Sequence, residues 1–101
     1  MKQIDELRET IRSLHGTDSK HVDSVPVKEV WQGNTVWEGI VEVFELVSHP
    51  EASKVYAWSH DTGDPERPTR HVTVLHGGPI TSALDAVRAS ILKDYRNRAE
   101  E

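Results

Sequence analysis

The residues of this chain most able to do chemistry are six histidines: His15, His21, His49, His60, His71 and His76. Zinc-binding histidines sit at defined spacings, such as i, i+4 on a helix or i, i+2 on a strand, and no pair here has one. His71 and His76 lie five apart in a strand-like run, which turns them to opposite faces. The candidate metal set is His60, Asp61 and His71. A hairpin turning near Gly63 would make two imidazoles and a carboxylate neighbours. The chain has no cysteine, which removes thiolate nucleophiles, disulfides and cysteine–zinc sites together.

Two further patterns carry chemical meaning. His76-Gly77-Gly78-Pro79 stands between a strand-like run and a helical one. A glycine-rich turn feeding a helix N-terminus can hold an anion on backbone N–H groups, so His76, Gly77, Gly78 and Ser82 form a candidate anion turn. The same HGG echoes an esterase oxyanion loop, but no G-x-S-x-G nucleophile elbow accompanies it. Glu29 and Glu38 would oppose each other across a hairpin turning at Gly33-Asn34, with Glu42 further along. Opposed carboxylates repel, so they read as cation ligands, acid/base groups or a sign of a shifted register.

The elements that must position these groups follow from periodicity. Ile4, Leu7, Ile11 and Leu14 recur at three- and four-residue spacing among charged residues, which predicts an amphipathic helix over about 2–15. Gly16 suits its left-handed terminus. That seam can dock on the domain's own sheet or on a second chain. Residues 16–24 are polar and aperiodic and read as a loop. β-branched and aromatic runs then predict strands at about 25–32, 35–47, 54–60 and 70–76. Pro26 demotes the first to an edge or removes part of it, and Gly39 signals a bulge or a close backbone approach. Ile80, Leu84, Val87, Ile91 and Tyr95 predict a helix over about 80–98, capped by Thr81 or Ser82 with Asp85 three residues after Ser82.

The fold class is therefore α+β, one domain over 1–101. Its order is α-β-β-β-β-α, or α-β-β-β-α if the first strand fails. It has an antiparallel three- or four-stranded sheet, with the two terminal helices expected on one face. At 101 residues, 36% apolar and 29% charged, it has a thin core and a polar surface. The N-terminus, MKQIDELRET, has no apolar stretch and reads as no signal peptide. No run is long enough to span a bilayer as a helix, so the expected compartment is cytoplasm and no membrane is expected. A net charge of −5 works against phosphate-backbone binding.

The predicted sheet is apolar on both faces. Trp37, Val41, Val43 and Val47 share one parity; Ile40, Phe44 and Leu46 share the other, and Tyr56 and Trp58 oppose Val55 and Ala57. Two helices on one face would leave the other bare, and bare apolar patches mark interfaces. Either a bulge at Gly39 redirects the pattern, or a second copy covers the face, or it is a ligand or base-stacking surface. The interface candidates are Trp37, Ile40, Phe44, Tyr56 and Trp58.

Two resemblances bear on this. VWEGIVEVFELVSHPEASKVYAWSH at 36–60 and VTVLHGGPITSALDAVRASI at 72–91 look like a group of small bacterial proteins sharing W-x-G-x-V-x-V-F, HP-x-A and YAW, which implies a fold and no assigned activity. The order α-β-β-β-α is similar to the double-stranded-RNA-binding domain. Such domains grip phosphates with lysines opening the last helix. Here that helix opens ITSALDAVR, with Asp85 and no lysine. Arg67, Arg70 and His71 form the basic loop cluster, diluted by Asp64 and Glu66. The leading expectation is a non-enzymatic interaction module, without cofactor, that pairs with itself through its sheet or with another protein. The alternatives are a nucleic-acid-binding domain and a small histidine-based metal or enzyme site.

Overall fold

A computed structural model describes residues 2–49, 52–61, 65–66 and 68–99. The elements are α1 (Lys2–His15), β1 (Ser19–Trp31), β2 (Asn34–Leu46), β3 (Lys54–Asp61), β4 (Thr69–Leu75) and α2 (Ala83–Ala99). The strands form one open antiparallel sheet in the order β1-β2-β3-β4. The α+β class and the six-element order are those the periodicity predicts.

The position of the helices is not. Leu7 and Ile11 of α1 are buried with Phe44, Val55 and Ala57. Ala83, Ala86 and Val87 of α2 are buried with Val27, Val41, Val43, Tyr56 and Trp58. Successive strand residues point to opposite faces, so neighbours such as Val43 and Phe44, or Val55 and Tyr56, enter different cores. One helix covers each face. The expectation that both terminal helices lie on one face is thereby corrected. The physical reason is the amount of apolar surface: burying it stabilises the fold by roughly 25 cal/mol per Å², and both faces carry it.

β1 begins at Ser19, earlier than its polar sequence suggests. Ser19, Lys20 and His21 pair with Leu46, Glu45 and Phe44, and Val22 is bulged before the ladder resumes at Asp23↔Val43. Pro26 is accommodated because β1 is an edge. The N–H of Val47 bonds Asp18 on the β1 side, while that of Leu46 bonds Ser53 on the β3 side. By alternation Ile40 aims its backbone away from β1, so its partner Pro26 has its missing N–H at the free edge.

The first hairpin turns at Gln32-Gly33, one residue earlier than Gly33-Asn34, with both φ angles positive (51° and 80°). That is the turn geometry whose twist matches paired strands. A second bulge, at Val36, then sets Lys28 opposite Glu38 and Glu29 opposite Trp37. The expected Glu29–Glu38 opposition is removed by this register.

Beyond Glu42↔Ala57 the two central strands part. Among the described residues, positions 34–41 of β2 pair with β1 alone. The parting strands are bridged by Trp37 and Trp58, edge to face at 5.6 Å. Gly39 is in register rather than bulged, and its role is close approach: a Cβ there would lie 3.1 Å from the Trp37 ring. Gly39→Ala requires the Trp37 ring to give by a few tenths of an ångström at its contact with Trp58. A loss of about 1–2 kcal/mol is expected in urea denaturation; unchanged stability would contradict this packing.

Candidate functional site

The five interface candidates do not form one surface. Phe44, Tyr56 and Trp58 are buried, at 0%, 4% and 2% exposure. Trp37 is half-buried against the α2 core. Ile40 is exposed, on the α1 side of the arm formed by β1 and β2. Ile40 shares this arm with Val30, Trp31 and Val36, which are also exposed.

The candidate metal set is not assembled. β3 and β4 pair with His60 opposite Arg70 and Ser59 opposite His71, so the two imidazoles lie on opposite faces. Among the described residues no group of three metal-binding side chains converges. Of the basic loop cluster, Arg67 lies outside the described residues, as does the neighbouring Asp64.

His76 places its Nδ1 2.8 Å from the Tyr56 hydroxyl. Burial, with the charge of Asp85, holds that phenol above its usual range. Gly77 and Ile80 exchange backbone hydrogen bonds at 2.9 Å. The N-terminus of α2 is served by the chain's own groups: the Asp85 N–H donates to Ser82 Oγ at 3.2 Å, and the Asp85 carboxylate accepts from the Thr81 N–H and hydroxyl. Those bonds lower the Asp85 carboxyl below the ordinary range. A carboxylate therefore already stands where an incoming anion would dock.

Glu29 is drawn to Arg88 of α2. The hydrogen bond from this guanidinium lowers the Glu29 carboxyl, and Arg88 is raised in turn. Glu29 is thus a tie between arm and helix rather than half of a carboxylate pair. Glu42, facing the other side, has its side chain only 9% exposed.

The register creates two serine–histidine–glutamate groupings that sequence spacing does not reveal. Ser24 donates directly to Glu42, and His21 Nε2 lies 3.3 Å from Ser24 Oγ and 3.4 Å from Glu42 Oε1. Both groups meet the same ring nitrogen, so the imidazole is not interposed between hydroxyl and carboxylate as a proton relay requires. In the second grouping Ser59 Oγ is 2.7 Å from His71 Nδ1, and Glu6 Oε2 is 3.8 Å from Nε2. At 3.8 Å the carboxylate makes no hydrogen bond and does not orient the ring. Asp5, Glu6, Glu9 and His71 line an open groove of about 590 Å³. Cross-strand pairing brings Ser24 to Glu42 and Ser59 to His71, the docking of α1 adds Glu6, and reading 16–24 as a loop hid the first set.

His15 closes α1 with Nε2 3.0 Å from Thr73 Oγ1 and its ring edge-on to His49. Burial first, then the neighbouring His49, lowers its pKa below the ordinary value. The fold favours the neutral ring, whereas the unfolded chain protonates near its ordinary pKa of about 6.5. The stability from this site is complete above that pH and is lost as pH falls through it. Denaturant titrations between about pH 7.5 and about pH 5.5 should show this loss, and His15→Gln should flatten it. An unchanged slope in the variant would contradict the assignment.

Comparison with protein-family models, with characterised proteins and with solved structures finds no match for this chain.

Proposed function

We propose that this domain is a non-enzymatic interaction module that self-associates through its sheet. The observation that carries this reading is the way the sheet is closed. Away from the arm, both faces are covered by the chain's own helices, while the sheet itself is open, ending at β1 and β4. What the sheet still offers a second copy is backbone at an edge, and edge strands recruit further strands unless guarded. The chemistry agrees with this assignment. Neither serine–histidine–glutamate grouping has a relay geometry, and the anion turn is served from within.

The arm favours a second surface of the same class. Trp31 is 65% exposed at its tip, and Val30, Val36 and Ile40 are also exposed along the arm. Exposed tryptophan and aliphatic side chains of this kind suit an apolar contact with another protein.

Sedimentation velocity across a concentration series, from low micromolar to millimolar, tests the primary reading. The expected result is a sedimentation coefficient that rises towards that of a dimer. A monomer throughout the series would overturn it.

A further inference from the structure

The two edges of the sheet are unequal. β1 carries Pro26, Lys20, Lys28 and the bulge at Val22, all devices that stop a strand from recruiting another. β4 reads TRHVTVL and contains neither proline nor lysine. Its pairing with β3 runs unbroken from Val55↔Leu75 to Asp61↔Thr69, so no bulge twists this edge away.

The direction of its free backbone groups can be derived. The His76 N–H bonds Lys54 across the β3 side. By alternation Val74, Val72 and Arg70 also turn their backbone groups to β3, and Leu75, Thr73, His71 and Thr69 turn theirs outward. None of these four outward residues has a backbone partner beyond its strand among the described residues.

We infer that β4 is the self-association strand and that it pairs antiparallel with β4 of a second copy about a two-fold axis at Val72. This rests on the self-association reading above. A two-fold partner must present the same edge to itself, so the strand has to be self-complementary. Centring on Val72 sets Thr69 opposite Leu75 and His71 opposite Thr73, in both directions. All four outward residues of each strand are then used, giving ~8 inter-strand hydrogen bonds. Centring on His71 or Thr73 leaves outward groups unpaired. On the α2 side Val72 meets Val72 and Arg70 meets Val74, so no like charges are opposed. The result is a continuous eight-stranded sheet, with each half keeping its own two helices.

The absence of native cysteine makes cross-linking a clean test. Val72 would face its own copy at a pair without mutual hydrogen bonds, where Cα atoms lie about 4.5 Å apart and a disulfide fits. Under mild oxidation Val72→Cys should give a covalent dimer. Arg70→Cys mixed with Val74→Cys should cross-link, and each of these two alone should not. Thr73→Pro removes an outward N–H while leaving the ladder to β3 intact. It should weaken self-association ~10-fold or more with an unchanged circular dichroism spectrum. If the unmodified protein dimerises but Val72→Cys stays uncross-linked, or Arg70→Cys or Val74→Cys alone links as readily, the β4 register is overturned and the self-association reading stands. If the unmodified protein remains monomeric, both fall.

Discussion

The alternation of apolar side chains along β2 and β3 is the constraint on which everything else in this fold rests. Val43 and Phe44 are chain neighbours buried in different cores, and so are Val55 and Tyr56. A β-strand cannot turn two successive side chains to one face without a bulge, and the central pairs run in register from Glu42↔Ala57 to Glu45↔Lys54. Each face of the sheet therefore demands its own cover. α1 presents Leu7 and Ile11 to one side, and α2 brings the small Ala83 and Ala86 with Val87 close to the large rings of the other. Full burial of a side chain such as Phe44 contributes roughly 1.5–3 kcal/mol, a large share of the margin available to a domain of this size.

That arrangement decides where polar chemistry can sit. With both faces committed to apolar cores, polar groups are displaced to the flanks, the strand ends and the parting of β2 from β3. Glu42 sits at that parting and is satisfied by Ser24 and His21. His71 lies beside Ser59 at the end of the β3–β4 ladder, and His15 reaches Thr73 from the end of α1. Each histidine in these contacts has a local partner that explains its position. Together they describe a domain whose outward-facing features are strand edges and an apolar arm.

Much of the architecture was legible because periodicity reports burial directly. The seam at Leu7 and Ile11, the stripe through Leu84 and Val87, and the mixed parity of β2 all follow from which side chains avoid water. The beginning of β1 was not legible, since SKHVDS has one wet face and gains its partners only from Leu46, Glu45 and Phe44. The side chosen by each helix was hidden for a related reason. An amphipathic pattern states that a helix needs a surface and not which of two surfaces it takes. Candidate-site readings suffered most, because they depend on register. A hairpin turning one residue early, with a bulge at Val36, moves Glu38 from Glu29 to Lys28. The pairing that places Ser59 opposite His71 likewise separates His71 from His60. Such shifts arise from turn geometry and cross-strand packing, which residue types alone do not encode.

The central claim is that one helix lies on each face of the sheet, and methyl–aromatic nuclear Overhauser contacts test it most directly. The methyl groups of Leu7 and Ile11 should show contacts to the Phe44 ring and to Val55, while those of Val87 should contact the Tyr56 or Trp58 ring. Cross-peaks from Leu7 or Ile11 to the Tyr56 or Trp58 ring would place both helices on one face and contradict the account.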